Sequence, residues 1–397
     1  MKPVPLASLC AATLALLLSL TPARLSARAD IEYAVFEPSP RGTVIYSRSP
    51  VEWRILPLRG SRVTGASLAL DGQPVAATYD RSAGAVTHLP GTALAPGVHR
   101  ARAAVTLDGE AAIDKEWEFT VAPRALSTLP APRDKQMAAL RAVNELRRAT
   151  GLPALKPEGR LFAAAQSHAD YLLRNDASGH FETAGRQGFV GRRPEDRVRA
   201  FGYSAGTYED VSQGLTEPVE AIQGLFDAPY HREPFLQPGE LHFGAGVSGD
   251  RVSLLFGMGE RSGVAVYPGN GQRNVPLSWD GNEMPDPLRL HSADGPGGRR
   301  IRPRGPFGYV VTLFVFQRDV AARQPTVRIR RATLATAEGA VVPAYINTPD
   351  NDDALKSGVV LIPRKPFRPS TTYQVVVEMD RGRTVETAHW SFTTAPE

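Results

Sequence analysis

The chain has 397 residues, 42% of them hydrophobic and 22% charged, which is typical of folded soluble protein and long enough for two or three domains. The formal net charge of +5 favours acidic polymers, lipid headgroups or anionic cell-wall material as partners, and it is too small to indicate nucleic acid. With 36 glycines and 34 prolines, the chain favours turn-rich β modules over helical bundles.

Residues 1–29 are predicted to be a secretory signal peptide. A lysine precedes an apolar run from about Leu9 to Leu20, small residues follow, and cleavage after Ala27 or Ala29 fits the small-x-small pattern. An uncleaved anchor is the alternative. The apolar run is too short for a comfortable transmembrane helix, and no other stretch approaches the length needed. We therefore expect export to the periplasm, cell surface or exterior, with no membrane span in the mature chain.

The only cysteine, Cys10, lies inside this segment. It comes before the apolar run, whereas the cysteine of a lipoprotein follows that run. If the signal is removed, the mature chain has no thiol, which excludes disulfides, thiolate catalysis and thiolate metal ligands. An exported protein without disulfides depends on its hydrophobic cores, and the length of this chain permits them.

Residues 30–123 are predicted to form an immunoglobulin-like β-sandwich. Short runs with partial alternation are separated by proline and glycine, and two of them end at Asp-Gly pairs, Asp71-Gly72 and Asp108-Gly109. Such a pair adopts the positive φ of a two-residue hairpin turn at low cost. The segment therefore resembles a series of hairpins.

A short repeat indicates a second module of the same kind. The stretch WEFTVAP (Trp117–Pro123) returns as WSFTTAP (Trp390–Pro396), and in each copy Trp and Phe alternate, so both rings should face one side of a sheet. We predict a second sandwich over 264–397, with strands at GYVVTLFVF, TVRIRRATL, SGVVLIP and TYQVVVEM. The basic cluster RRIRPR (Arg299–Arg304) is interpreted as a solvated loop, the alternative being a binding patch.

The middle segment, 134–260, follows a linker at 124–133 and has a different pattern. One amphipathic helix is predicted to begin at Asp134, a second in EGRLFAAAQSHADYLLRN, and a third with Thr216 as cap and Pro218 in its first turn. The pattern then changes to strands in HFGAGVSGDRVSLLFGMG. Helices followed by a hairpin indicate an α+β domain.

Half of the eight histidines fall in this segment, at His168, His180, His231 and His242. Histidine is readily recruited near neutral pH as a ligand or a base. His180 lies in the loop NDASGHFE, where a functional role and a structural one are both open. His231 follows the third helix, and the alternative to chemistry is a charge that complements the helix dipole. His168 lies on the apolar face of its helix, where a buried, hydrogen-bonded histidine is the simpler interpretation, and His242 is interpreted as structural or exposed.

Two adjacent carboxylates, Glu209 and Asp210, stand in GTYEDVSQG. Adjacent residues of an extended segment point to opposite sides, so only one can face a given cavity, and a solvated loop is the alternative. His180, Glu209 and His231 are candidates to converge from three loops. They would suit a site for Zn²⁺ or another divalent metal with one open position, or a general acid–base cluster. No HExxH-type signature supports the metal.

The middle segment resembles the CAP superfamily (cysteine-rich secretory protein, antigen 5, pathogenesis-related 1) in its bacterial form. The likeness runs in order through AVNELRRATGLPALKPEGRLFAAAQSHADYL, GHFE, FGYSAGTYEDVSQG, AIQGLFDAPYHREPFL and FGAGVSGDRVSLLFGMG, over about 125 residues. The resemblance implies an α-β-α sandwich with a cleft lined by His180, Glu209 and His231. YPGNGQRNVPLSW likewise resembles the segment that begins the sandwich after bacterial CAP domains.

The sequence departs from the family pattern in several places. YED stands where Gly-Glu-Asn is usual, Phe226 replaces a common tryptophan, and APYHR replaces the Ser-Pro-Gly form. The second glutamate of the four-residue cavity known in eukaryotic members has no clear match, and Asp227 is only a weak candidate. These departures argue against a complete set of four and against tight metal binding.

Three functions are compatible with these residues. The first is a secreted, non-enzymatic protein that binds lipid, cell-wall material or a divalent metal at His180, Glu209 and His231. The second is a metal-dependent hydrolase acting on peptide or cell-wall substrates, with Glu209 as base. The third is a structural surface protein with a vestigial cleft. The weaker site candidates are Asp210, Asp227 and His168.

Overall fold

The computed structural model describes residues 32–58, 60–81, 83–109, 111–259, 262–295, 299–316, 327–382 and 384–397. The predicted signal peptide and Cys10 lie outside these residues. The chain folds into two compact units, and each is described by itself. The first contains the described residues up to Pro38, Glu52–His88 and Ala101–Trp117, and the second contains Ser39–Val51, Leu89–Arg100 and Glu118–Glu397.

The described part of the N-terminal segment consists of strands and turns. Its strands are β1 (Glu32–Val35), β2 (Gly42–Tyr46), β3 (Val51–Leu58), β4 (Val63–Leu70), β5 (Gln73–Val75), β6 (Thr78–Asp80), β7 (Ala85–His88), β8 (Gly97–Leu107) and β9 (Ala111–Leu126). In the first unit, one sheet has the order β1-β3-β7-β6, and β4 pairs with both β5 and β8. The second unit pairs β2 with β9 in parallel.

The Asp-Gly turns form as the sequence predicts. Leu70 pairs with Gln73 across the tip of the β4–β5 hairpin, and Asp71 and Gly72 between them have φ of 53° and 78°. These positive values suit the two-residue turn that matches the twist of a hairpin. Strand β9 continues to Leu126, so it extends into the segment predicted as a linker.

The central segment combines five helices with a small sheet in its described residues. Its elements are α1 (Asp134–Ala149), β10 (Lys156–Pro157), α2 (Gly159–Arg174), α3 (Pro194–Ala200), β11 (Thr207–Gln213), α4 (Pro218–Asp227), α5 (Arg232–Phe235), β12 (His242–Ser248) and β13 (Arg251–Gly257). The sheet order is β10-β12-β13-β11, so β11 is an edge strand. The predicted α+β class is confirmed. Helix α4 begins at Pro218 with Glu217 as N-cap, so the expected cap at Thr216 is wrong by one residue.

Helix α2 and strand β12 lie unusually close because glycines remove the side chains between them. A Cβ on Gly244 would lie 2.2 Å from backbone atoms of Leu161 and Phe162, and one on Gly246 would lie 2.1 Å from the carbonyl oxygen of Ala165. No side chain fits at either distance. The glycines of the FGAGVSG stretch therefore determine how closely α2 packs against the sheet. The position of α2 in turn determines where the loop that follows it begins.

The C-terminal segment is built of strands. They are β14 (Gly263–Tyr267), β15 (Gln272–Val275), β16 (Ser278–Trp279), β17 (Ala293–Asp294), β18 (Arg300–Ile301), β19 (Phe307–Gly308), β20 (Val311–Phe316), β21 (Val327–Thr336), β22 (Ala344–Asn347), β23 (Gly358–Pro363), β24 (Thr372–Arg381) and β25 (Thr384–Thr394). Two four-stranded sheets have the orders β14-β20-β23-β22 and β15-β25-β24-β21. The four strands predicted from sequence correspond to β20, β21, β23 and β24.

The repeated Trp-x-Phe stretches occupy equivalent places in β9 and β25. Trp117 and Phe119 are buried, as are Trp390 and Phe392, which agrees with the expected alternation. No helix among the described residues is long and apolar enough to cross a membrane.

Candidate functional site

The two adjacent carboxylates lie on edge strand β11 rather than in a loop. Glu209 pairs with Leu255 of β13, and Asp210 pairs with Leu254. Leu255 belongs to a core cluster with Leu161 of α2, whereas Leu254 belongs to a different cluster that includes residues of α1 and α4. Because side chains alternate along a strand, Glu209 and Asp210 point to opposite faces of the sheet, as the sequence predicts.

His180 and Glu209 form the first part of the site. His180 lies in the loop after α2, and its Nδ1 is 3.1 Å from Oε2 of Glu209. The imidazole is 40% exposed, while the Glu209 side chain is 1% exposed. A buried carboxylate thus holds a histidine at the protein surface, which is the arrangement that fixes the tautomer and orientation of an imidazole.

A buried arginine from α3 supports this pair. Arg197 Nη2 donates to Oε1 of Glu209 at 2.7 Å, its Nε lies 3.6 Å from Glu182, and its Nη1 donates to the carbonyl of His180 at 3.1 Å. The hydroxyl of Ser253 donates to the same Oε1 at 3.2 Å. One guanidinium therefore fixes both the carboxylate and the backbone that carries the histidine.

His168 is buried behind the pair. Its Nδ1 is 2.9 Å from Glu182, and its Nε2 is 3.0 Å from the carbonyl oxygen of Gly179. Both ring nitrogens are thus occupied, and the nearest oxygen of Glu209 is 3.9 Å from Nε2. His168 is therefore a buried, hydrogen-bonded histidine, as predicted from its place on the apolar face of its helix. Its bond to Gly179 helps to fix the loop that carries His180.

Glu209 stays ionised in this environment. Burial alone would raise the pKa of its carboxyl, but the hydrogen bond from His180 and the charge of Arg197, assisted by His168, lower the pKa below the ordinary value. At neutral pH the site therefore contains a buried carboxylate that can only accept hydrogen bonds.

The exposed side of His180 faces a cleft of about 350 Å³. Its lining includes the imidazole, the 61%-exposed ring of Phe181, Arg193, Thr207 and Tyr208, together with the carboxylates of Glu195 and Glu209. Aromatic surface and charges of both signs thus meet beside a histidine. This combination is typical of sites that hold a small ligand with an apolar part and a polar end.

The structure places His231 in a different pair. Its Nδ1 lies 2.7 Å from Oε1 of Glu283, a buried carboxylate that follows β16, and the backbone N–H of Tyr230 donates to Oε2 of the same group at 2.7 Å. Burial works to lower the pKa of His231, but the bond to Glu283 and the charges of Asp210 and Glu283 outweigh it and raise the pKa to about 9. His231 is consequently an imidazolium at neutral pH.

Asp210 interacts electrostatically with both histidine–glutamate pairs. It is 3% exposed, and its Oδ2 has no hydrogen-bond partner among the described residues. Burial raises its pKa to about 7, opposed by the charges of His231 and His180 and assisted by those of Glu283 and Glu209. Asp210 is therefore a carboxyl that changes its charge near neutral pH, and Glu233, whose pKa burial also raises to about 7, is another.

Replacing Asp210 by asparagine should alter the pH dependence of stability. The folded-state pKa lies above the unfolded value of 3.8, so wild-type stability due to this group is lost as pH rises from about 4 to about 7. At about 1.4 kcal/mol per pKa unit, the loss approaches about 4 kcal/mol. Urea unfolding at several pH values should show that the free energy of unfolding of Asp210→Asn, relative to that of the wild type, rises as pH increases from about 4 to about 7. The exposed Asp294→Asn is the control, and a difference that does not vary with pH would contradict the assignment.

Asp227, the weak candidate for the fourth cavity residue, is directed elsewhere. Its Oδ1 accepts a hydrogen bond from the hydroxyl of Tyr309, and both of its oxygens accept from Gln223 in α4. It therefore ties α4 to the start of β20. The acidic partner of His231 is Glu283, which sequence reasoning missed.

The candidate metal ligands do not gather in this fold. Among the described residues, no group of three His, Cys, Asp or Glu side chains is placed to hold a metal ion. Glu209 has both oxygens engaged by Arg197, Ser253 and His180, and His231 is bonded to Glu283. A three-ligand zinc site that used an oxygen of Glu209 would therefore require this carboxylate to give up one of its present partners, whereas each histidine is engaged only through Nδ1.

Arg197 and Arg193 were also missed from sequence, although a signal was present. Both stand in GRRPEDRVRA, where Pro194 followed by two acidic residues is a helix-start pattern. This pattern predicts α3, which contains Arg197 and directly follows Arg193.

Comparison with known proteins gives the following likenesses. Residues 140–255 match the family model of the Cysteine-rich secretory protein family, CAP. No curated protein sequence matches the chain. Among solved structures, an outer surface protein from Borrelia burgdorferi is 19% identical, over 34% of this chain and 98% of that chain, with a TM-score of 0.28. An extracellular protein containing a SCP domain from Bacillus anthracis str. Ames is 14% identical, over 52% and 64%, with a TM-score of 0.28. Sidekick-1 immunoglobulin domains 1–5 are 9% identical, over 92% and 59%, with a TM-score of 0.15.

Proposed function

We propose that the protein, whose residues 140–255 form a CAP domain, is an exported binding protein whose ligand enters the cleft beside His180 and Glu209. The observation that carries the proposal is the partly exposed imidazole of His180, held by a buried carboxylate at the wall of a cavity large enough for a small molecule. In this proposal the protein need not catalyse a reaction.

The ligand proposed is a small amphipathic anion whose charged end lies at Arg193, because the carboxylates of Glu195 and Glu209 elsewhere in the lining would repel it. Arg193 supplies positive charge and several donors, and His180 supplies a further polar contact. Phe181 offers an exposed aromatic face to an apolar chain or sugar ring. Lipids and fragments of cell-wall polymer both carry carboxylate or phosphate groups beside apolar parts, and the net charge of +5 favours such surroundings.

A divalent metal is the second candidate ligand. It is favoured by the presence of two histidine–carboxylate pairs, His180–Glu209 and His231–Glu283, both of which interact electrostatically with Asp210. Zn²⁺ bound there would supply a Lewis acid. Coordination by Glu209 requires this carboxylate to give up one of its present partners, and the same requirement applies to the metal-dependent hydrolase.

We further propose that the CAP domain has helices on both faces of its sheet and is flanked by two immunoglobulin-like sandwiches. The α-β-α arrangement is supported by the separate core clusters on the two sides of β13, and the second sandwich by the paired four-stranded sheets of residues 263–394. An N-terminal signal peptide at residues 1–29 would deliver the protein to the periplasm, cell surface or exterior.

Titration calorimetry of the mature protein with octanoate, N-acetylmuramic acid and zinc chloride tests the ligand. We expect saturable binding of one of the two organic acids, weakened about tenfold or more in Arg193→Gln because a charge-assisted hydrogen bond contributes about 1.5–3 kcal/mol. Arg192→Gln, which changes the exposed neighbour, is the matched control. If both variants bind the organic acid with equal affinity, Arg193 does not contribute to the binding site. Saturable zinc binding that disappears in His180→Ala/His231→Ala would instead favour the metal.

A further inference from the structure

Strand β11 has an open main-chain edge, and its hydrogen bonds show which residues face that edge. The N–H of Met258 donates to the carbonyl oxygen of Gly206 at 2.8 Å, and the register with β13 continues from there without a shift through the whole strand. Residue pairs of an antiparallel ladder alternate between hydrogen-bonded and non-hydrogen-bonded pairs. The main-chain N–H and C=O groups of Thr207, Glu209 and Val211 therefore point away from β13, toward the edge.

These outward groups have no partner in the described part of the chain. None of the described residues forms a hydrogen bond to the main-chain N–H or C=O of Thr207, Glu209 or Val211. The side chain of Glu209 is 1% exposed, yet the residue as a whole is partly exposed, so its accessible surface belongs to the main chain. Unpaired donors and acceptors at the edge of a sheet are a template for a further strand.

The edge lacks the features that usually prevent such pairing. Proteins protect edge strands with proline, exposed charged side chains or β-bulges. Strand β11 has the sequence TYEDVSQ, without proline, and its pairing with β13 has no bulge. Its two charged side chains, Glu209 and Asp210, are buried. Nothing in the strand itself therefore opposes the addition of another strand.

The ligand cleft lies along this edge. Thr207, Tyr208 and Glu209 are consecutive residues of the cleft wall, which also contains Phe181 and the beginning of α3. An extended peptide matches the edge, because its own N–H and C=O groups recur every two residues, about 7 Å apart, as do those of the strand. A second folded copy of the chain suits the recess less well, since its own loop and helix would flank its own edge.

We propose that β11 binds an extended peptide segment by strand addition, with an apolar side chain of the peptide covering Phe181. The main chain of Thr207 and Glu209 supplies the hydrogen bonds, as in other cases of strand addition. The ring of Phe181 is 61% exposed and supplies the preference for an apolar residue. The inference goes beyond the proposed function, because it uses the edge of β11 and not the charge of Arg193.

Titration calorimetry of the mature full chain with blocked pentapeptides tests the proposal. The probes are acetyl-Thr-Val-Phe-Val-Thr-amide and its two forms with lysine or glutamate at the centre. We expect the phenylalanine peptide to bind most tightly. Two further forms of it carry N-methyl groups, one on the second and fourth residues and the other on the first, third and fifth. Each pattern removes the donors of one edge of the peptide, so one form should bind about tenfold or more weakly and the other within about threefold.

Thr207→Pro tests whether β11 is the binding edge. Proline removes one outward N–H and is tolerated at such edge positions, and the hydroxyl of Thr207 has no hydrogen-bond partner among the described residues. Gln213→Pro is the matched control, because Gln213 also faces outward but lies at the far end of β11, outside the cleft wall. We expect Thr207→Pro to weaken binding of the phenylalanine peptide about tenfold and Gln213→Pro to stay within about twofold. Circular dichroism verifies folding, and the N-methylated peptides need no variant of the protein.

The outcomes separate this inference from the proposed function. Binding that is lost with one N-methyl pattern and in Thr207→Pro supports it. The inference is overturned if none of the three peptides binds, if both N-methyl patterns have equal effects, or if Thr207→Pro keeps full affinity. A wild-type dimer that Thr207→Pro converts to a monomer, measured by light scattering, overturns the peptide and assigns the edge to a second copy. If octanoate binds at the Arg193-dependent site while no peptide binds, the proposed function stands and strand addition falls.

Discussion

Arg197→Met is expected to lower the free energy of unfolding at pH 7 by about 3–5 kcal/mol, the cost of removing one partner from a buried ion pair. Arg197 is fully buried and contacts the carboxylates of Glu209 and Glu182, which are themselves buried. Methionine fills similar space but leaves both carboxylates without their cation. The substitution also removes the hydrogen bond that fixes the carbonyl of His180.

Urea unfolding measures this effect, with Arg199→Met as the matched control. Arg199 lies two residues further along α3, is partly exposed and has only a long ion pair with Asp196 at 3.7 Å. A surface pair of this kind contributes about 0–1 kcal/mol, so the control should remain near wild type. If both variants lose the same stability, the buried network does not support the site in the way described.

Arg232→Met should lower the free energy of unfolding by about as much as Arg197→Met does, but for a different reason. Its guanidinium is fully buried and donates to the carbonyls of Phe226, Asp227 and Val310 at 2.7–3.2 Å. The cation also lies 4.7 Å from the centre of the Tyr267 ring. The variant would remove the arginine donor from three carbonyl oxygens, and the bonds to Phe226 and Val310 are fully buried, where an unsatisfied group costs about 1–3 kcal/mol.

The same variant tests whether the central and C-terminal segments unfold together. Arg232 belongs to α5, whereas Val310 directly precedes β20, so the residue joins the two segments by hydrogen bonds. We expect one unfolding transition for these segments in wild type and a lower midpoint in Arg232→Met. Arg148→Met, an exposed position of α1, is the control. Two transitions in the wild type would contradict the coupling.

Much of the fold could be predicted because its signals are local. Helices α1 and α2 follow from apolar periodicity, and the β4–β5 turn follows from an Asp-Gly pair. The glycines of FGAGVSG were noticed only as a strand pattern. Their role depends on the distance between α2 and β12, which cannot be predicted from the spacing of residues along the sequence.

Part of the site could also be predicted from local sequence signals. The opposite directions of Glu209 and Asp210 follow from the alternation of any strand, and the His180–Glu209 pair agrees with the family resemblance. The partner of His231 lies 52 residues away, in a segment predicted to begin a separate sandwich. No local pattern around Glu283 distinguishes it from a surface carboxylate, so its burial had to be observed.

The bond between His231 and Glu283 has a consequence for where this protein can be cut or recombined. The family match ends at residue 255, but the carboxylate that neutralises His231 is supplied beyond it, as is the Asp352 that binds Tyr230. A chimera that transplanted only the matched region would carry His231 into its new host without the carboxylate whose hydrogen bond raises the pKa of the imidazole. A segment chosen for transplantation should therefore extend through Asp352. The region that matches the family model ends before the residues that form ion pairs and hydrogen bonds with it.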